Sequence, residues 1–146
     1  RGCTSAVLDL GHNILLIGEK PGRNPFSIGV RDPEGGEGDI SVVLYARDVS
    51  VVTSGTYERF FERDGVRYAH ILDPYTGAPA DTGVSSVTII SLNSLSGDAL
   101  STTCLLLGKE RGLALIESLE NVEALFLMED GTRTMSSGFE AYLEKK

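Results

Sequence analysis

Two neighbouring stretches decide the fold: Val84-Ser85-Ser86-Val87-Thr88-Ile89-Ile90-Ser91 and Gly97-Asp98-Ala99-Leu100-Ser101-Thr102-Thr103-Cys104-Leu105-Leu106-Leu107-Gly108. The first is short and rich in β-branched residues, so it reads as a strand. In the second, Ala99, Leu100, Thr103, Cys104 and Leu107 recur at helical spacing. Gly108 stands where such a helix would stop. The chain therefore changes from strand to helix period at this point. Everything before it reads as strands: 5–10, 14–18, 26–31, 40–46, 49–53, 56–62 and 66–72. Gly11-His12-Asn13 and Arg63-Asp64-Gly65 are hairpin turns, and 32–39 (DPEGGEGD) is a polar, glycine-rich loop. Arg47-Asp48 is a two-residue link. Beyond the helix, 110–119 continues helical, with Leu113, Leu115, Ile116 and Leu119 apolar. Residues 122–128 return to strand, Asp130-Gly131 turns, and 138–145 reads as a short helix. Consecutive strands followed by segregated helices predict an α+β fold, a mostly antiparallel sheet covered on one face by helices. Residues 1–146 are expected to form one domain or subdomain.

Composition narrows the partners. The chain has 146 residues, 41% hydrophobic and 23% charged, as an ordered globular protein has. Thirteen basic residues against 21 acidic ones give a net charge of −8. No basic stripe offers itself to nucleic acid. A phosphorylated ligand would need a metal or aimed backbone N–H groups. Cys3 and Cys104 lie too far apart in sequence for a C-x-x-C zinc or redox motif. No apolar run reaches the roughly 18 residues of a membrane helix. Arg1-Gly2-Cys3-Thr4 shows no signal-peptide pattern, and a start at Arg1 reads as a processed one. Glycine is abundant, 17 of 146, which implies many tight turns.

Three segments carry candidate chemistry. In His70-Ile71-Leu72-Asp73-Pro74-Tyr75-Thr76-Gly77, strand alternation sets Val66, Tyr68, His70 and Leu72 on one face, and Asp73-Pro74 opens a turn that Gly77 closes. His70 reads either as a satisfied core histidine or as an acid–base group at the mouth of a cleft. At the helix start, Asp98, Ser101 and Thr102 are spaced i, i+3, i+4, so their oxygens share a face. Such oxygens suit a hard cation such as Mg²⁺. Equally, Asp98 could complement the helix dipole. Thr53-Ser54-Gly55-Thr56-Tyr57 reads as a ligand approach or as an ordinary strand junction. His12 reads as an exposed turn residue without a partner.

Taken in order, these segments resemble the FAD:protein FMN transferase (ApbE) family. The resemblance rests on Leu8-Asp9-Leu10-Gly11-His12-Asn13-Ile14, Gly18, Lys20, Ile28-Gly29-Val30-Arg31-Asp32-Pro33, Thr53-Ser54-Gly55-Thr56-Tyr57-Glu58-Arg59, His70 to Gly77, Ser86-Val87-Thr88 and Asp98-Ala99-Leu100-Ser101-Thr102. His12 departs from the family's usual Gly, Tyr75 from its frequent Arg, and Gly97 from its frequent Ala. The resemblance implies transfer of FMN from FAD to a threonine hydroxyl of an acceptor protein, with release of AMP. FAD pyrophosphatase activity and a non-catalytic flavin- or metal-binding fragment are the alternatives. It implies Mg²⁺ held by Asp98 and Thr102 with Ser101. It makes His70 the acid–base or orienting residue, with Asp98 the rival. Leu72, Asp73 and Thr76, beside His70, would line the FAD site. The implied partners are an acceptor flavoprotein subunit of a membrane redox complex and the N-terminal half of a chain about twice this length. The implied location is the extracytoplasmic side of a bacterial membrane.

Overall fold

The computed structural model describes residues 2–36 and 38–144. Ten strands and one long helix follow one another as β1 (Ser5–Asp9), β2 (Asn13–Gly18), β3 (Phe26–Arg31), β4 (Ile40–Ala46), β5 (Ser50–Gly55), β6 (Phe60–Arg63), β7 (Val66–Ala69), β8 (Val84–Ser91), α1 (Ser94–Glu117), β9 (Val122–Met128) and β10 (Arg133–Met135). Six strands form one antiparallel sheet in the order β1-β2-β5-β8-β9-β10. α1 packs on one face of it. The expected α+β class, an antiparallel sheet with helical cover on one face, is the one observed.

β8 is the central strand and is buried along its whole length. Both its faces are covered, which explains why its sequence does not alternate cleanly between apolar and polar. Towards α1, Val84, Val87 and Ile89 pack with Cys104, Leu105, Ile116, Ala124 and Phe126. The opposite face is closed by the β3–β4 hairpin, through Phe26, Val30, Val42 and Leu44 against Leu16, Val51, Ile90 and Leu125. The strands expected over 26–31 and 40–46 are present, and they form a two-stranded sheet of their own, separate from the main one. Arg47-Asp48 is where the chain crosses between layers, and Gly18 N–H donates to Asp48 Oδ1 at 2.6 Å.

Two of the buried hydroxyl residues of β8, Thr88 and Ser91, are paired across to β5 by register, while Ser85 Oγ donates to Glu34 and Ser86 Oγ has no hydrogen bond among the described residues. Ser50 faces Ser91 and Thr53 faces Thr88. Thr53 and Thr88 Oγ1 are 2.8 Å apart, and Ser50 Oγ donates to the Ser91 carbonyl at 3.0 Å. Such pairing is what lets hydroxyls sit in a core.

Helix α1 starts earlier than its apolar spacing indicates. Asn93 is the N-cap, its side chain accepting from Ser96 N–H at 3.1 Å. Asp98 thus lies in the second turn, beyond the position at which an acidic residue best serves the dipole. At Gly108 the helix breaks with φ 76° and ψ 176°, a conformation essentially reserved for glycine. Thr82 Oγ1 donates to the freed carbonyl of Leu105 at 2.9 Å.

Three boundaries move. The strand expected over 56–62 begins only at Phe60, because the Tyr57 ring folds back over Gly55 and breaks the extended run. The strand expected to reach Leu72 ends at Ala69. The helix expected over 138–145 is a single 3-10 turn at Phe139–Tyr142, and Lys145 lies outside the described residues. The β6–β7 hairpin turns on Asp64 and Gly65, both at positive φ, as a two-residue hairpin requires.

Candidate functional site

The site is built where β5 leaves the sheet beneath the start of α1. Val52 and Ser54, alternate residues of β5, face the helix. Gly97 lets the two approach: a Cβ there would stand 2.9 Å from Ser91 Oγ and 3.0 Å from Val52 Cγ2. One turn on, Ser54 Oγ lies 2.7 Å from Ser101 Oγ and 3.1 Å from Thr102 Oγ1. Ser101 is fully buried, and its hydroxyl also donates to the Asp98 carbonyl at 3.0 Å. Thr102 is half-buried and Asp98 is exposed. Among the described residues no hydrogen bond or ion pair engages the Asp98 carboxylate. Ser101 and Thr102 therefore share one hydroxyl cluster with Ser54, 47 residues away, and Asp98 meets it through its backbone carbonyl.

The second group lies on the loop after β7. His70 is exposed, whereas Ala69 and Ile71 are buried. The expected apolar face is thus reversed: the chain leaves the strand at Ala69, and it is Ile71 that enters the core with Cys104 and Leu105. The side chain of Val66, assigned to that same face, lies outside the described residues. The reading of His70 as a core histidine falls with this reversal. Its backbone N–H and ring Nδ1 both meet the Arg59 carbonyl, at 2.9 and 3.1 Å. A carbonyl only accepts, so Nδ1 carries a proton, and in the neutral ring Nε2 keeps its lone pair. Leu72 is half-exposed and bridges to Pro79. Asp73 Oδ1 accepts from the N–H groups of Tyr75 (2.7 Å) and Thr76 (3.4 Å). Gly77, at φ 70°, closes the turn onto the Asp73 carbonyl. Thr76 Oγ1 accepts from Ala78 N–H at 3.2 Å. No hydrogen bond joins this loop to Asp98, Ser101 or Thr102 among the described residues; the buried Ile71 links the two groups through the core.

Two concavities lie beside these groups and are lined by other residues. One, of about 440 Å³, is bordered by Glu34, Tyr57, Tyr68, Asp81 and Glu129. The other, of about 370 Å³, is bordered by Asp9, His12, Arg31, Thr53 and Tyr57. Tyr57 borders both. Burial first, and the neighbouring Glu58 charge second, push its phenol up to about 12. Arg31 lies 5.4 Å above the ring. His12 is not without a partner: its Nε2 is 2.9 Å from Glu58 Oε2.

For a metal, the donor chemistry fits a hard cation: one exposed carboxylate and half-buried hydroxyl oxygen, with room for water and ligand oxygens. Among the described residues no cluster of three or more His, Cys, Asp or Glu stands ready to hold a metal, so a transition-metal cage is not what these residues build.

The ApbE family profile matches residues 1–126. A FAD:protein FMN transferase of Treponema pallidum is 48% identical over 142 residues, covering 92% of this chain and 39% of that protein. Its counterpart of the same name in Klebsiella pneumoniae is 40% identical, covering 90% and 40%. The crystal structure of the ApbE protein of Thermotoga maritima superposes with a TM-score of 0.87 at 40% identity, covering 96% of this chain and 45% of that one. The apo flavinyl transferase ApbE of Pseudomonas stutzeri gives 0.78 at 32% identity, covering 97% and 44%. The chain spans about two fifths of the length of the curated relatives it matches. With the family profile covering most of its length, this chain belongs to the ApbE family.

Proposed function

We propose that this chain carries the metal-holding part of an enzyme that moves FMN from FAD onto a threonine hydroxyl of an acceptor protein, releasing AMP. The observation that carries the reading is the hydroxyl cluster of Ser54, Ser101 and Thr102, one helical turn from the exposed Asp98, in a member of a family whose relatives are named for FMN transfer. Asp98 and Thr102 hold Mg²⁺. Ser101 sits behind them, its hydroxyl shared between Ser54 and the Asp98 carbonyl. When bound, Mg²⁺ neutralises diphosphate charge, and this is how a chain of net charge −8 accommodates an anion. His70, with Nδ1–H fixed on the Arg59 carbonyl, presents Nε2 to take the proton of the attacking threonine hydroxyl. The new bond joins that oxygen to the FMN phosphorus. The bond broken is the diphosphate linkage, and AMP departs with the bridging oxygen. Leu72, Asp73 and Thr76 border the FAD on the same loop.

The rest of the flavin pocket comes from the length that the relatives have beyond this chain. The acceptor is a flavoprotein subunit of a membrane redox complex, on the extracytoplasmic side of a bacterial membrane. The test mixes this chain with the remaining segment of its parent, FAD, Mg²⁺ and a threonine-containing acceptor, and follows the acceptor's intact mass. Addition of one FMN is expected. Release of FMN and AMP without addition would identify a pyrophosphatase instead. No turnover, where a full-length relative is active, would overturn the reading.

A further inference from the structure

Ser54 is useful to the hydroxyl cluster only if the end of β5 is held still, and the structure shows what holds it. The segment 53–58 pairs with β8 as far as Gly55 and then leaves the sheet, and one residue of another hairpin fastens it at both ends. The His12 carbonyl accepts from Thr53 N–H at 2.8 Å. Its ring Nε2 lies 2.9 Å from Glu58 Oε2. His12 thus grips both ends of the segment that contains Ser54. Between the grips, Thr56 N–H donates to the Ser85 carbonyl at 3.0 Å, and the Tyr57 ring folds under Arg31 against Gly55. A Cβ on Gly55 would stand 2.6 Å from Tyr57 Cε1, so this compact path needs glycine at that position.

The His12–Glu58 contact is more than a surface pair. Glu58 is largely buried, and its Oε1 is buried without a hydrogen bond among the described residues. The carboxylate is held through Oε2 by the imidazole, which donates from Nε2 whether neutral in that tautomer or protonated. His12 also holds a left-handed backbone, φ 61°, to present its carbonyl and its ring in the same direction. A side chain kept where glycine would be the relaxed choice points to a role for that side chain.

We propose that His12 is a positioning residue for the Ser54–Ser101–Thr102 cluster: by fastening Thr53 and Glu58 it keeps the Ser54 hydroxyl against α1. The consequence for metal binding rests on the function proposed above; the clamp itself does not.

The test uses the whole chain by NMR, with Mg²⁺ alone as the probe. His12→Gly suits the left-handed position, so the fold is retained, and slow exchange at Cys104 and Leu105 verifies it. In His12→Gly, amide exchange at Thr56, Tyr57 and Glu58 should quicken about two- to fivefold, the scale of a lost partly exposed ion pair. The Ser101 and Thr102 resonances should shift, and Mg²⁺ should bind more weakly by a similar factor. His12→Lys, which returns a cation to Glu58, should recover most of the effect, and Glu58→Gln should reproduce it in part. Unchanged exchange at Thr56 to Glu58 in His12→Gly would overturn the clamp. Faster exchange with no movement at Ser101 and Thr102 would overturn its link to the cluster. Should the unsubstituted chain not bind Mg²⁺, the metal reading fails while both resonance comparisons still decide the clamp.

Discussion

Ser54 Oγ, at the end of β5, lies 2.7 Å from Ser101 Oγ on α1, and this contact ties the central sheet to the helix that bears Asp98. It brings a strand hydroxyl into a group whose other members the helix supplies.

Removing that hydroxyl leaves Ser101 with only the Asp98 carbonyl and Thr102 with no partner on β5. Ser54→Ala should lower stability by about 1 kcal/mol, the net worth of an ordinary buried hydrogen bond. Urea denaturation checks this, with an unchanged slope showing that the fold is intact.

Gly97 sits where the helix comes closest to the sheet. Gly97→Ala gains helix propensity of up to about 1 kcal/mol. It also drives a methyl against Ser91 Oγ, which donates to the Asn93 carbonyl, and against Val52. Overpacking of this kind costs about 1–3 kcal/mol. A net loss of roughly 1 kcal/mol is expected from the same denaturation measurement.

Asp98 behaves differently. Its carboxylate is exposed and unpaired among the described residues, so Asp98→Ala should change stability by no more than about 0.5 kcal/mol. Mn²⁺, used as a paramagnetic substitute, should broaden the amide signals of Asp98 to Thr103 and of Ser54 in the unsubstituted chain, and should not do so in Asp98→Ala. Broadening centred elsewhere would remove Asp98 from the metal site.

Burial pushes the Cys104 thiol up from 9.0 to about 11. In native buffer near pH 8, iodoacetamide should therefore modify exposed Cys3 and spare Cys104 until the chain is unfolded. The same shift sets a pH dependence. The unfolded thiol ionises first, so the stabilisation is complete below pH 9 and is lost as pH rises towards 11. Tyr57, raised from 10.0 to about 12, continues the loss over that higher window. Urea midpoints should stay level from pH 8 to about 9 and fall from there to pH 11.

Much of this was legible in the residues. Asp-Gly marked the β6–β7 hairpin because both positions need positive φ, and Gly108 marked the helix break for the same kind of reason. Asp98, Ser101 and Thr102 share a helix face by spacing alone. What was not legible depends on contacts distant in sequence. Ser54 meets Ser101 across 47 residues, and no local pattern encodes that pairing. His12 shows no partner in the sequence because four strands and two crossings between layers separate it from Glu58. Alternation rightly groups Tyr68, His70 and Leu72, but the core covers the opposite face, that of Ala69 and Ile71, and alternation alone does not say which face is buried. The β3–β4 layer was missed because a strand's sequence shows that one face is buried, not what buries it.

The central claim, that Asp98 anchors the metal of an FMN transfer, is tested most directly by the Mg²⁺ dependence of acceptor flavinylation in the reconstituted protein. Compared are the unsubstituted chain and Asp98→Ala, by the intact mass of the acceptor. The account predicts Mg²⁺-dependent FMN addition that falls by at least about a hundredfold in Asp98→Ala, the scale of one lost group in a charge-stabilising site. Addition in Asp98→Ala at the original rate, with the original Mg²⁺ dependence, would contradict it.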